Sequence, residues 1–159
     1  MQARAAELVN TLGMRPHPEG GHYVEVFRSD QRVQVVNRNA ERAALTAIYF
    51  LLAAGECSRW HRVQSDETWH YHEGDAIELL LFDDRGLRRL RLGPVSRETR
   101  PTIVVPAGTW QAARTIGAYT LVACTVGPGF EFADFSLLVD WPEVAARIAK
   151  AGPDLARFI

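Results

Sequence analysis

Cysteine is nearly absent from this chain: Cys57 and Cys124 are the only two in 159 residues, and they lack CxxC spacing. A disulfide scaffold is thereby excluded. Lysine is scarcer still, with Lys150 alone against seventeen arginines. The arginines are scattered from Arg4 to Arg157, which reads as a compositional habit rather than an anion site. With a formal net charge of −1, the chain has no concentrated positive face, so no nucleic-acid partner is expected. Long apolar runs are missing too. The longest, residues 43–54, falls short of the ~20 residues needed to span a bilayer, and the opening MQARAAELVN has no apolar signal-peptide core. No membrane partner is expected, and a soluble, reducing, cytoplasmic setting is. Phosphate-loop and dinucleotide fingerprints are absent, and Ser65, Ser96 and Ser136 lack a glycine elbow. No repeat or linker divides the chain. Residues 1–159, 47% hydrophobic and 23% charged, fit one globular domain.

What is present is β-rich. Residues 3–12 have helical spacing with Gly13 as a stop, and the turn segment Pro16-His17-Pro18-Glu19-Gly20-Gly21 cannot continue a helix. In HYVEVFR (22–28), alternation puts Tyr23, Glu25 and Phe27 on one strand face. Further strands are expected at 32–36, 44–52, 75–82, 87–92, 102–105, 109–115 and 119–126. The 44–52 strand is apolar enough to be buried on both faces, and Asp83-Asp84-Arg85-Gly86 forms a hairpin turn. Phe130 and Phe132 are expected on one face of a late strand. A closing helix is expected to be capped by Asp140, with Glu143 at the capping-box position, and stopped by Gly152-Pro153. Many short strands separated by glycine and proline argue for a sandwich or barrel between two terminal helices.

The densest chemistry lies in GECSRWHRVQSDETWHYHEG (55–74), which carries His61, His70 and His72 with Trp60 and Trp69. Its spacing resembles the first motif of the cupin superfamily: glycine, five residues, His-x-His, three or four residues, Glu, six residues, glycine. Gly55, His61, Val63, Glu67 and Gly74 take those positions, Val63 replacing the second histidine. Pro106-Ala107-Gly108-Thr109-Trp110-Gln111 is similar to the second motif, with Gln111 for its histidine. The segments 16–29, 61–75, 105–110 and 124–135 together resemble one uncharacterised cupin branch. The resemblance implies an all-β fold, a cupin double-stranded β-helix (jelly-roll barrel) with short N- and C-terminal helices, usually a homodimer and similar to the sugar-nucleotide epimerases of rhamnose synthesis.

Carried over position by position, the resemblance offers a divalent transition metal His61, Glu67 and Gln111. That is one imidazole and one carboxylate where a catalytic site uses about three strong ligands, so no metal or other cofactor is expected. His70 and His72 share a strand face opposite Glu67, Trp69 and Tyr71 and are expected to point outward. The site expectation is therefore a small-molecule pocket. His61 acts as catalytic base, oriented by Glu67, and a tyrosine acts as acid: Tyr23 ahead of Tyr49 and Tyr71. Glu25, Arg28 and Gln111 orient the ligand, and Trp69, Phe130 and Phe132, with Trp110 and Phe135, supply aromatic surface. Cys57 and Cys124 read as inert thiols, His17 and His22 as loop and strand residues. The leading function is a metal-independent isomerase or epimerase on a carbonyl or sugar-like metabolite, for instance a nucleotide sugar or an aromatic or polyketide-like compound. The alternatives are a non-catalytic ligand-binding protein and a metal-dependent dioxygenase or isomerase.

Overall fold

Two apolar faces per strand decide how the chain layers. The computed structural model describes residues 1–159, the side chain of Pro153 excepted. Helix α1 (Ala3–Thr11) leads into β1 (Arg15–Pro16), β2 (His22–Arg28), β3 (Arg32–Val35), β4 (Ala40–Ala43), β5 (Thr46–Ala53), β6 (Ser58–Val63) and β7 (Asp66–Gly74). Then come β8 (Ile77–Asp83), β9 (Gly86–Leu92), β10 (Thr102–Val105), β11 (Trp110–Thr115), β12 (Tyr119–Gly127), β13 (Phe135–Leu137) and α2 (Pro142–Ala151). Six strands form one sheet in the order β1-β2-β5-β12-β7-β10, five form a second in the order β13-β6-β11-β8-β9, and β3-β4 is a separate ribbon. The fold is mostly β, with two sheets facing each other without closing into one continuous barrel.

Alternation along β5 and β8 builds three cores. Phe50 and Leu52 of β5, with Leu79 and Leu81 of β8, meet Trp69, Val105 and Val122 between the sheets. The intervening Leu51 and Ala53 pack beneath α1 with Leu8 and Leu121. Leu80 and Phe82, with Trp60 and Trp110, pack beneath α2 against Ile148 and Leu155. A strand covered on both faces reads as an unbroken apolar run, which is why 44–52 carries no polar alternation.

Several local expectations need correction. The closing helix has Trp141 at its N-cap with no side-chain cap; Asp140 belongs to a preceding 3-10 turn, so the capping box does not form. Pro142 at the first helical position starts the helix instead, because its missing N–H needs no partner there. Phe130 lies outside any strand, and Phe132–Asp134 forms a 3-10 turn, so the two rings share no strand face. They meet edge to face all the same, at 5.1 Å. In β2 the register against β5 shifts between Glu25 and Phe27. That bulge reverses the alternation: Phe27 turns outward, half exposed, and Arg28 joins Tyr23 and Glu25 on the inner face.

Candidate functional site

At one end of the inter-sheet core the packing opens into a cavity of about 230 Å³. Its floor is set by parity. On β6, Trp60 points out under α2, so His61 and Val63 point in. On β7, Glu67 and Trp69 point in from the facing sheet, with no register shift from Glu67 to His70. Aromatic rings form the upper wall. His17 sits among them, 4.5 Å from the Tyr23 ring and 6.1 Å from that of Phe135. Phe135 in turn stacks on His61 at 5.5 Å.

The turn after β1 brings a further carboxyl to this floor. Gly20 has φ +112°, and a Cβ there would lie 2.1 Å from the Cys57 carbonyl oxygen, so only glycine lets the turn approach β6 this closely. The Arg59 N–H donates to the Glu19 carbonyl at 2.8 Å, and the Arg59 guanidinium donates to the Pro18 carbonyl at 2.6 Å. Glu19 is thereby held against His61, with Oε2 3.2 Å from Nε2, while its Oε1 accepts the Ser58 hydroxyl at 2.8 Å. On its other side, His61 Nδ1 lies 2.8 Å from the Arg59 carbonyl.

Burial governs the protons. Glu19 is only 6% exposed, and loss of solvent pushes its carboxyl up to about 8 despite the pull of Ser58 and Arg59. Burial raises Glu67 as well, against the opposing pull of His61. The imidazoles move the other way: burial takes His17 down to about 4 and lowers His61 despite nearby Glu67. At neutral pH the floor thus sets a protonated Glu19 carboxyl beside uncharged imidazoles, with Glu67 shifted in the same direction as Glu19. The rim is ionic. Arg28 makes a bidentate pair with Glu25 at 3.0 and 2.8 Å and reaches Glu131 at 2.8 Å and the Phe130 carbonyl.

Comparison with protein families identifies the fold. Residues 6–138 match the family model described as "Cupin superfamily (DUF985)". The chain belongs to the cupin superfamily. Among solved structures, this cupin is 32% identical to a hypothetical protein from Leishmania major (TM-score 0.82, covering 98% of this chain and 96% of that one). A protein from Shewanella oneidensis is also 32% identical (TM-score 0.78, 96% and 98%). Oxalate decarboxylase from Bacillus subtilis shares the fold at 16% identity (TM-score 0.60), covering 85% of this cupin and 33% of that enzyme. Comparison with curated proteins gives no match.

The motif positions of this cupin supply two strong metal donors, His61 and Glu67. Val63 brings no ligand atom to the cavity. Gln111 is placed behind Glu67 rather than on the cavity wall: its Oε1 accepts the Trp69 indole N–H at 3.0 Å, and its Nε2 donates to Glu67 Oε2 at 2.5 Å. The amide oxygen that would bind a metal or grip a ligand is therefore already used, which corrects the expected role of Gln111. Among the described residues, no cluster of three or more His, Cys, Asp or Glu side chains is arranged to hold a metal.

Of the expected site residues, His61, Glu67, Tyr23, Glu25, Arg28, Trp69, Phe130 and Phe132 all line the cavity. Glu67, however, bonds Gln111, and the groups within hydrogen-bond distance of the His61 ring are the Arg59 carbonyl and Glu19. Tyr71 donates its hydroxyl to the Gly74 carbonyl, and Tyr49 packs against His72 away from the cavity. Trp110 belongs to the layer under α2, where Arg62 lies 4.9 Å over its ring. His70 points outward and reaches Thr125 at 3.3 Å. Burial raises both thiols, with Cys124 at the cavity floor beside Glu67. Residue-level reading missed Glu19 and His17. The signal available was the Gly20-Gly21 pair directly after them, which marks a close backbone approach.

Proposed function

We propose that this cupin binds a small carbonyl or sugar-like metabolite in the cavity and catalyses proton transfer next to the carbonyl, as a metal-independent isomerase or epimerase. One observation carries the reading: an uncharged imidazole, His61, faces a roofed hollow beside two buried carboxyls, Glu19 raised to about 8 and Glu67 raised by the same loss of solvent. Bases and acids with such shifts suit proton abstraction and return without a metal. The His61 imidazole takes the substrate proton, and Glu67 and the Tyr23 hydroxyl are the acids available to the carbonyl oxygen. Aromatic walls and the Arg28–Glu25 pair at the rim supply shape and orientation. At about 230 Å³ the hollow suits a ligand smaller than the drug-sized range of roughly 300–1,000 Å³, so any nucleotide portion of a substrate lies outside it.

A non-catalytic binding protein is the second reading. It is favoured by the saturation of Arg28, which already holds Glu25, Glu131 and a backbone carbonyl. The discriminating experiment is deuterium incorporation from deuterium oxide into small hydroxycarbonyl compounds such as dihydroxyacetone and glyceraldehyde. Enzyme-dependent incorporation that His61→Ala abolishes supports the isomerase. Saturable binding without incorporation supports the binding protein. The resemblance to homodimeric cupins carries a proposed homodimer, which sedimentation equilibrium tests.

A further inference from the structure

The cavity floor holds a carboxyl for which the reading above has no task. Glu19 Oε2 lies 3.2 Å from His61 Nε2 and 3.4 Å from His17 Nδ1. The hydrogen on each ring is set from elsewhere. The Arg59 carbonyl at His61 Nδ1 requires an N–H there, which leaves Nε2 of the neutral ring bare. The backbone N–H of Glu19 donates to His17 Nδ1 at 3.3 Å, so that nitrogen is bare as well. Two ring lone pairs thus converge on one carboxyl oxygen, and an ionised Glu19 would set its own lone pairs against both. A single hydrogen on Oε2 resolves the arrangement, and burial favours keeping it there. That hydrogen has a free acceptor in His61 Nε2 and a shared one in His17 Nδ1, whose single lone pair also takes the Glu19 N–H. Other ionisable neighbours do not compete for it: the Arg59 guanidinium is committed to the Pro18 carbonyl, Arg15 lies over the Tyr23 ring, and Glu67 and Cys124 lie on the facing sheet.

We infer that Glu19 is the positioning residue for His61, its carboxyl O–H holding the bare Nε2 toward the cavity and turning to His17 when a substrate takes its place. The inference rests on the reading of His61 as a base. With the Glu19 hydrogen turned to His17 Nδ1, the Nε2 lone pair accepts a proton from the substrate carbon. The C–H electron pair becomes the C=C bond of an enediol, and the C=O π pair moves onto the carbonyl oxygen, which takes the proton of the Tyr23 or Glu67 acid. The same nitrogen then delivers a proton, or a deuteron after exchange with solvent, to the former carbonyl carbon. The neighbouring hydroxyl gives its proton back to that acid, which completes the isomerisation; delivery to the original carbon registers as exchange alone. Glu19 ends the cycle as it began, with its hydrogen back on His61. His17, which has no role in the cupin motifs, acquires one as the second acceptor.

Nitrogen-15 NMR of histidine-labelled protein reads the tautomers directly, with or without turnover. The wild type is expected to show His61 protonated on Nδ1 with a hydrogen-bonded Nε2. In Glu19→Ala the Nε2 signal moves to that of an unbonded nitrogen, while the Arg59 carbonyl keeps the hydrogen on Nδ1. Glu19→Gln, whose amide N–H faces the rings while its carbonyl accepts from Ser58, restores the wild-type pattern. In the dihydroxyacetone assay, Glu19→Ala lowers the turnover number on the order of a hundredfold, with KM changed by less than about twofold. Should Glu19→Ala fail to fold, Glu19→Asp, which withdraws the carboxyl by one methylene, gives the same comparison. An unmoved His61 signal in Glu19→Ala, or full exchange activity in that variant while His61→Ala is inactive, overturns the positioning role and leaves the isomerase reading standing. If the wild type exchanges no substrate, the isomerase reading falls, and the nitrogen signals alone decide whether Glu19 holds the ring.

Discussion

Two glutamates show how one side chain is driven in opposite directions by its surroundings. Glu73, at the end of β7 on the outer surface, takes the Arg4 guanidinium at 2.8 and 3.0 Å and the Tyr119 hydroxyl at 2.7 Å. Those bonds favour the charged form and bring its carboxyl down to about 2. Glu19 receives one hydroxyl and faces two imidazoles, and burial takes it up to about 8. Both glutamates are bonded. The difference lies in whether the partner carries charge and whether water is near enough to solvate the ion. A surface carboxylate of the first kind pins a helix to a sheet. A carboxyl of the second kind keeps a proton available at neutral pH, as chemistry in a closed hollow demands.

The contrast can be attacked first at the wall of the hollow. Trp69 is 1% exposed and its indole N–H holds Gln111, which holds Glu67. Trp69→Ala is expected to cost about 3–5 kcal/mol in urea unfolding, because it opens a large cavity and frees the amide behind Glu67. A loss below about 1 kcal/mol would mean that the floor is not a packed unit.

A smaller effect concerns pH. Glu19 binds its proton more tightly folded than unfolded, so its contribution to stability is complete below the ordinary carboxylate range and is lost as pH rises through about 8. His17, depressed to about 4, acts in the opposite sense: its contribution is present above the usual imidazole range and is lost as pH falls toward 4. From about pH 6.5 to 8, the Glu19 side still slopes while the His17 side is already level. The melting temperature of the wild type should therefore fall across that interval, and Glu19→Gln should flatten the fall. A wild-type profile that is level there, or one unchanged by Glu19→Gln, would place an ionised Glu19 on the floor and erase the contrast.

The smallest effect is expected at the surface. Glu73→Gln removes a solvent-exposed pair that salt already screens, so its melting temperature near neutral pH should fall only slightly below the wild type. Its signature is expected in acid: the wild-type contribution is present above the ordinary carboxylate range and lost as pH falls toward 2, and the variant lacks that loss. A large destabilisation of Glu73→Gln at pH 7 would show that the outer carboxylate, too, is structurally committed.

Much of the fold was legible because alternation is a local property. Residues 22–28 and 102–105 form strands at their expected bounds, and parity along 67–72 correctly separates inward Glu67 and Trp69 from outward His70 and His72. Parity failed where a bulge intervened: nothing in HYVEVFR announces the extra residue that turns Arg28 inward and Phe27 outward. Local pattern also misled at Phe130–Phe132, where aromatic alternation imitates a strand but the chain makes a 3-10 turn. Asp140 fits a capping pattern that Pro142 makes unnecessary. Gln111 sits at a motif position whose identity is readable, but the direction of its amide depends on Trp69, forty-two residues away.

The order of its residues alone determined that this chain would be a β-rich cupin, since strand period, turn glycines and motif spacing are all short-range features. It also located His61 and Glu67 as a facing pair. Which proton sits on which atom was decided only in three dimensions. Glu19 meets His61 because a glycine turn packs on a strand some forty residues later, and the charge of a carboxyl follows from the water and partners it loses there.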